Sequence, residues 1–162
     1  KEFPKAKLLL DVHTNNPKII KTLIELIDSE FREGDFVVVS EYDKIIKKLN
    51  HLKPNWKYGV PAKEAKRMLY SSFLRLDSFL PIRSDILMLP KKYWKIDVLN
   101  KRVIKHAKKR NKPIWAWMYE GDEVRTVNSI GEIEKLRALG IDGIFTDYPG
   151  KLSELLNRAN RG

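Results

Sequence analysis

The feature that most constrains the fold of this chain is a regular alternation of short apolar runs with longer amphipathic stretches. The predicted strands are Lys7–His13, Phe36–Ser40, Lys57–Val60, Ile86–Leu89, Ile114–Tyr119 and Gly143–Thr146. The predicted helices are Pro17–Arg32, Tyr42–Leu49, Ala62–Leu76, Tyr93–Lys109, Ser129–Leu139 and Lys151–Ala159. Apolar strands that alternate with helices are typical of parallel sheets covered by helices. The pattern therefore predicts an α/β fold made of six βα units.

Several polar residues and glycines indicate where the helices begin and end. Ser40 and Ser129 each start a pattern like a capping box, in which the serine hydroxyl accepts from the first helical turn. Gly34 and Gly140 stand where helices are expected to end. Asp147 is expected to fix the turn before the last helix and to cap that helix, and Thr146 is a second candidate for the same role.

Six βα units are compatible with two kinds of sheet. One is an open, doubly wound sheet, which is complete at this length. The other is most of an eight-stranded barrel, which usually needs about 250 residues. In both folds ligands bind at the carboxyl ends of the strands, so the candidate functional residues are those that follow each predicted strand.

The composition limits the classes of function. The chain has 162 residues, 43% of them hydrophobic, which suits one soluble domain, and it has no cysteine. This excludes disulfides, zinc–thiolate centres and cysteine nucleophiles. Glycine-rich dinucleotide and P-loop phosphate motifs are absent as well. No apolar run reaches the roughly 20 residues of a membrane span, and without a visible leader we expect a cytoplasmic protein.

The net charge of +11 favours anionic partners such as nucleic acid, acidic lipid or phosphorylated substrates. However, the lysines and arginines are spread over all the predicted helices, which is typical of solvated helix faces. We therefore expect no nucleic-acid partner. His51 and His106 lie within lysine-rich helical sequence and are predicted to be surface residues.

Asp11 and His13 are the most distinctive polar pair, because they lie two residues apart at the end of an apolar strand. That spacing places both side chains on one face. Asp11 could bind a hard cation such as Mg²⁺ or Ca²⁺, or hold the following turn. His13 could act as an acid, a base or a phosphate contact, or be a hydrogen-bonded interior histidine.

A row of aromatic residues lines a later strand. Trp115, Trp117 and Tyr119 alternate in "IWAWMYE" and therefore point to the same side. Trp115 is predicted to fill the core. Trp117 lies nearer the end of the strand, where it could form an apolar wall for a substrate.

Four segments together resemble glycerophosphodiester phosphodiesterases. "GIDGIFTDYP" matches the family's last-strand pattern G-x-D-G-I-x-T-D-x-P, and Trp117 in "IWAWMYE" matches the tryptophan of V-x-x-W-T-V-N. "VVVSEYD" matches V-x-x-S-S-F-D through Ser40, Tyr42 and Asp43. "LLLDVH" falls on L-x-I-E-I-K. The resemblance runs over almost the whole chain in the right order.

The resemblance implies a partial TIM-type (β/α) barrel in which the six βα units are strands three to eight of a single domain, residues 1–162. It implies metal-dependent hydrolysis of glycerophosphodiesters to glycerol phosphate and an alcohol. Asp11 stands where a metal-binding glutamate is expected, with Mg²⁺ or Ca²⁺ as the cofactor, and His13 where a lysine is expected. His13, Tyr42, Trp117 and Tyr119 are the implied substrate contacts, whereas the family's catalytic histidines lie outside this chain.

The chain also departs from the family pattern. Histidine at position 13 is mostly neutral at pH 7, unlike lysine, and Met118, Tyr119 and Glu120 replace Thr-Val-Asn. These departures and the positive charge favour an alternative, a non-catalytic barrel that binds an anionic phospholipid or phosphodiester. A small doubly wound domain of unrelated function is a third possibility. Six strands alone would leave open edges, so we expect either a preceding barrel segment or self-association.

Overall fold

The fold is taken from a computed structural model, in which residues 7–76, 80–93, 96–120, 123–125 and 129–160 are described. The elements of these residues are, in chain order, β1 (Leu8–Asp11), α1 (Ile19–Glu30), β2 (Phe36–Val39), α2 (Asp43–Leu52), β3 (Lys57–Tyr58), α3 (Ala62–Phe73), β4 (Leu87–Pro90), β5 (Lys92–Tyr93), β6 (Ile96–Asp97), α4 (Lys101–Lys108), β7 (Ile114–Glu120), β8 (Glu123–Arg125), α5 (Ile130–Leu139), β9 (Gly143–Ile144) and α6 (Pro149–Ala159).

The predicted α/β class is confirmed, and all six predicted strands and helices are present in order. Three additional short strands, β5, β6 and β8, interrupt this alternation. β5 and β6 form an antiparallel hairpin between β4 and α4, and β8 pairs antiparallel with the end of β7. Each of these three strands has a single apolar or aromatic residue beside charged ones, so none forms an apolar run like those of the six predicted strands.

The described residues divide into two compact units. The first contains the chain up to Arg67 together with Arg83–Ile86, and the second contains Met68–Ile82 and the chain from Leu87 onward. In the first unit β1, β2 and β3 form a parallel sheet in that order. In the second unit β7 pairs in parallel with β4 on one side and β9 on the other.

The sheet of the first unit is buried by α1 and α2. All four residues of β2 are buried, as expected for a central parallel strand with helices on both faces. Phe36 packs edge-on against Trp56, with ring centroids 5.1 Å apart. Tyr58 is also buried, and its hydroxyl donates to the backbone carbonyl of Lys53 at 2.8 Å. This core holds β1 and β2 in the register that positions their carboxyl ends.

The helix predicted over Tyr93–Lys109 is wrong in its first half. That segment begins with the β5–β6 hairpin, and α4 starts only at Lys101. Asn100 fixes this start, because its side-chain oxygen accepts from the backbone N–H groups of Arg102 and Val103 at 3.0 Å each. An asparagine cap is one of the strongest signals for a helix start, and here it outweighs the amphipathic pattern upstream.

The prediction that His106 lies at the surface is also wrong. His106 is only 4% exposed, whereas His51 is exposed as predicted. His106 follows Val103 by three residues, so it lies on the buried face of α4. Arg110 approaches the imidazole, with 2.9 Å between Nη1 and Nδ1, so a cation in the next turn covers the polar edge of the buried ring.

The helix boundary predictions have mixed outcomes. Ser129 caps α5 by accepting from the N–H of Glu132, and Gly140 ends that helix with a left-handed φ of 84°. Both were predicted. The prediction for Asp147 is wrong, because α6 has no side-chain cap and it is Thr146 whose hydroxyl accepts from the N–H of Tyr148, at 3.0 Å. Ser40 is likewise not a helix cap.

Candidate functional site

Asp11 and His13 lie side by side at the carboxyl end of β1, as the spacing predicts. Asp11 is the last residue of the strand, and its Oδ2 lies 3.0 Å from Nε2 of His13. The side chains are 43% and 80% exposed, respectively, so both are accessible to a ligand. Val12 between them points the other way and is buried. A carboxylate that orients an imidazole in this manner is suited to proton transfer or to contact with an anion.

The backbone beneath this pair is fixed by the neighbouring strand. Asp11 is in register with Val39, and the N–H of Val12 donates to the Val39 carbonyl at 2.9 Å. The buried hydroxyl of Ser40 then donates to the Val12 carbonyl at 2.6 Å. Ser40, predicted to be a helix cap, therefore joins the ends of β1 and β2. The chain on both sides of Asp11 and His13 is thus held by hydrogen bonds to β2.

Tyr42 is the third residue after β2 and is partly buried against the core of the first unit. A hydrogen bond to the Glu41 carboxylate, the negative charge of Glu41 and partial burial all raise the pKa of the Tyr42 phenol. The phenol is therefore protonated at neutral pH. The Ser40 hydroxyl also accepts from the N–H of Tyr42 at 3.2 Å, which fixes the turn that carries this side chain.

A divalent cation would need more ligands than Asp11 and His13 provide. Asp11 and His13 offer one carboxylate and one imidazole, whereas Mg²⁺ and Ca²⁺ take about six or more mainly oxygen ligands. Within the described ranges, no group of three or more His, Cys, Asp or Glu residues could hold a metal ion. The described residues therefore do not form a complete metal centre.

The second unit places the predicted aromatic wall around Phe145. The ring of Trp117 lies 6.1 Å from that of Phe145, and the ring of Trp115 lies 5.8 Å from it. Both tryptophans are half-buried, and their contact with the same ring agrees with the predicted common orientation. Trp117 is in register with Pro90, the last residue of β4, so it lies where the parallel pairing of β4 and β7 ends.

Tyr119 follows on β7, where its backbone pairs with Val124 of β8. Its side chain falls outside the described part of the structure, so its predicted substrate contact stays a prediction. The antiparallel β7–β8 pairing extends β7 to Glu120, one residue beyond the predicted end of the strand. The positions that depart from the family pattern, 118 to 120, are therefore in a strand and not in a loop.

The "GIDGIFTDYP" segment contains residues with definite structural tasks. Gly140 takes the left-handed conformation that ends α5. The Asp142 carboxylate accepts from Lys108 Nζ at 2.6 and 2.7 Å and from the N–H of Ile114 at 2.8 Å. Burial alone would raise the pKa of Asp142, but these hydrogen bonds outweigh it and hold that pKa below its usual range. Asp142 thereby ties α4 and the start of β7 to the turn before β9.

Gly143 is required by the ring of Trp115. A Cβ at Gly143 would lie 2.7 Å from Cδ1 of that ring, closer than side chains tolerate. Phe145, two residues later, donates its backbone N–H to Ala116 at 2.8 Å and so continues the pairing of β9 with β7. The motif on which the resemblance chiefly rests thus supports the strand that carries Trp117.

Sequence reasoning missed one ion pair near the strand ends of the second unit. Lys91 directly follows β4, and its Nζ lies 3.9 Å from Oε1 of Glu132 on α5. The backbone N–H of Lys91 donates to the carbonyl of Trp117 at 2.9 Å. A lysine immediately after a strand was the available signal, but its partner is distant in sequence and could not be identified without the fold.

The fold and the Asp11–His13 pair define an α/β protein with a candidate ligand-binding site at the carboxyl end of β1 in the first unit. The chain is 24% identical to the lysophospholipase D GDPD1 of Mus musculus and to that of Rattus norvegicus, over 96% of this chain and 54% of each relative. No family model matches the chain. The chain spans about half the length of these curated relatives. Together with the solved structures that follow, they confirm the resemblance to glycerophosphodiester phosphodiesterases.

Two solved structures have a fold similar to that of this chain. A candidate glycerophosphodiester phosphodiesterase of Galdieria sulphuraria is similar with a TM-score of 0.65 and 17% identity, over 95% of this chain and 57% of that one. A candidate glycerophosphoryl diester phosphodiesterase of Silicibacter pomeroyi has the same TM-score and identity, over 95% of this chain and 51% of its own. At this identity the likeness establishes the fold alone.

None of the helices in the described part of the chain has the length and apolar character that a membrane-spanning helix needs.

Proposed function

We propose that the protein hydrolyses glycerophosphodiesters to glycerol phosphate and an alcohol, and that this chain forms the larger part of its catalytic barrel domain. The six main strands would be strands three to eight of a TIM-type barrel. The observation that carries the proposal is the Asp11–His13 pair, which lies at the carboxyl end of β1 where the resemblance requires a metal ligand and a phosphate contact. Similarity to phosphodiesterases over nearly the whole chain supports it.

In this proposal Asp11 holds the imidazole of His13 toward the substrate phosphate, while Ser40 and β2 keep the backbone of both residues in place. The resemblance assigns Trp117 and Tyr42 to the alcohol or glycerol part of the substrate. Asp11 would also supply one ligand to Mg²⁺ or Ca²⁺, with the remaining ligands coming from outside the described residues. The general acid and base would also come from outside this chain.

The test is hydrolysis of glycerophosphocholine by the full-length protein, with and without EDTA and with Asp11→Ala. Removing a residue that only supports a metal ligand commonly costs about 10- to 100-fold in metal affinity or activity, so loss of the ligand itself should cost at least about 100-fold. Glu30→Ala, which removes an exposed carboxylate from α1, is the matched control and should retain activity. Full activity of Asp11→Ala would refute the role of Asp11, and full activity in EDTA would refute metal dependence.

A second proposal is a non-catalytic barrel that binds an anionic phospholipid or phosphodiester. It is favoured by the net charge of +11 and by histidine in place of the expected lysine at position 13. It predicts binding to anionic vesicles that weakens with salt and is accompanied by no turnover. Hydrolysis abolished by substitution of Asp11 would contradict it.

A further inference from the structure

The end of α3 exposes a cluster of large apolar side chains. Tyr70, Phe73, Leu74 and Leu76, here called the α3 apolar cluster, are 61%, 57%, 69% and 49% exposed. Tyr70 lies three and four residues before Phe73 and Leu74, so the three share one side of the helix. Single exposed apolar residues are ordinary, but a contiguous cluster marks a surface that contacts something other than water.

The backbone that carries this cluster is well fixed. The N–H of Leu74 donates to the Tyr70 carbonyl at 3.2 Å, and that of Leu76 donates to the Ser71 carbonyl at 2.9 Å. Arg75 between them has a left-handed φ of 59°. The side chains of Leu74 and Leu76 are therefore presented by a hydrogen-bonded turn.

Cations adjoin the same surface. A cavity of about 660 Å³ is lined by Phe73 of the cluster and by Arg75, Lys101 and Arg102. Arg102 donates from Nη1 to the Ser72 carbonyl at 3.4 Å, which brings the first turn of α4 against the last turn of α3. Among the described residues that line this cavity, Asp97 is the one acidic residue, and its carboxylate lies 3.9 Å from Nζ of Lys92. In the described part of this surface, positive charge therefore predominates beside the α3 apolar cluster.

This surface lies on the functional side of the second unit. β4 ends at Pro90, and the carbonyl of the next residue, Lys91, accepts from the N–H groups of Val98 and Leu99 at 3.1 and 3.4 Å. These bonds place the residues just before α4 beside the carboxyl end of β4. The first turn of α4 then lines the cavity, so the cations lie on the side where ligands bind in folds of this type.

We propose that the α3 apolar cluster and the cations beside it form a contact for an anionic membrane surface. The apolar side chains would enter the boundary between headgroups and acyl chains, and Arg75, Lys101 and Arg102 would pair with lipid phosphates. In the described part of this surface, the apolar side chains lie beside three cations and one carboxylate, a combination that matches the chemistry of an anionic bilayer. The inference rests on the proposed function only for the idea that the substrate is a membrane lipid. Binding to the membrane itself requires no turnover.

The first test is co-sedimentation of the full-length protein with phosphatidylcholine vesicles that contain phosphatidylglycerol. The double variant Phe73→Ser, Leu74→Ser should bind at least about tenfold more weakly, because it loses two inserting side chains. Both residues are more than half exposed, so the substitutions should leave the fold intact. Leu26→Ser with Leu52→Ser, at positions 54% and 49% exposed on α1 and α2, is the matched control and should bind like wild type.

The second test addresses charge. Lys101→Glu should weaken binding to these vesicles by about fivefold or more, because each lysine near an anionic surface contributes about 1 kcal/mol. Glutamate suits the first turn of a helix, so α4 should tolerate it. Lys135→Glu, at an exposed position on α5, is the control for a general change in net charge. Binding should also decline when phosphatidylglycerol is omitted.

Three results would overturn the inference: equal binding by wild type and the double variant, binding independent of phosphatidylglycerol, or a wild-type dimer that ignores vesicles and is dissociated by the double variant. The last result would assign the cluster to a second copy of this chain. Hydrolysis of soluble glycerophosphocholine is measured in a separate assay. A protein that binds vesicles through this cluster but hydrolyses nothing would contradict the proposed function while supporting the membrane contact.

Discussion

The polar pair at the end of β1 and the segment around β9 have different roles in the molecule. Asp11 and His13 are exposed, contact each other and are not part of the hydrophobic core. Gly140, Asp142 and Gly143 instead end a helix, join α4 to β7 and make room for Trp115. The segment that carries most of the family resemblance is therefore structural, while the pair that departs from the family pattern is the candidate for chemistry.

A motif that fixes a helix end, an ion-paired carboxylate and a close ring contact can persist when the chemistry has changed, because the fold depends on it. Substitutions in the two regions should therefore have different measurable effects. Those around β9 should lower stability, and those in the pair should change catalysis or binding at constant stability.

The largest expected effect on stability comes from Gly143→Ala. The added methyl group would meet the Trp115 ring, so either the ring or β9 must shift, at a cost of about 1–3 kcal/mol in the free energy of unfolding. Urea unfolding measures this cost. Gly131→Ala is the control, because nothing lies within 4 Å of a Cβ at that helical position, and it should stabilise the protein by about 0.5–1 kcal/mol. Equal effects of the two substitutions would show that Trp115 does not require the glycine.

The order of strands and helices could be predicted from the sequence because periodicity and helix-end residues act locally. Ser129 and Gly140, for example, have the local signals and the predicted roles. The β5–β6 hairpin could not be predicted, because its strands form no apolar run of their own. The buried position of His106 depends on what packs against α4, and residues close in sequence do not indicate this.

The candidate site was predictable to a similar, limited degree. A spacing of two residues was sufficient to place Asp11 and His13 together. It was insufficient for Ser40, since a serine before a helix has the same local pattern whether its hydroxyl caps the helix or bonds another strand. Here the hydroxyl reaches Val12, 28 positions away in the chain, and only the register of β1 and β2 determines that contact.

A smaller effect on stability is expected from Asp142→Asn. The substitution weakens the hydrogen bonds from Lys108 and Ile114, and because the carboxylate is 39% exposed the loss at neutral pH should be about 1 kcal/mol or less. Because folding lowers the pKa of Asp142, the stability it contributes is present above the unfolded-state pKa of about 4. It is lost as the pH falls through the still lower pKa of the folded state.

Urea unfolding over a pH series checks this prediction. The gap between wild type and Asp142→Asn should be widest at neutral pH and should close in acid. Asp147→Asn, which changes an exposed carboxylate in the same segment, should be within about 0.5 kcal/mol of wild type at every pH. A gap that stays constant down to strongly acidic pH would show that the charge of Asp142 contributes nothing.

The smallest expected effect is from His13→Lys, which puts a permanent cation at the position where the resemblance expects one. If His13 contacts the substrate phosphate, the KM for glycerophosphocholine should fall by roughly fivefold, equivalent to about 1 kcal/mol. Because the side chain is 80% exposed, the free energy of unfolding should change by less than about 0.5 kcal/mol. His51→Lys adds the same charge on α2, away from the pair, and should leave KM unchanged. An equal fall in KM for both variants would attribute the gain to net charge and would exclude a specific phosphate contact at position 13.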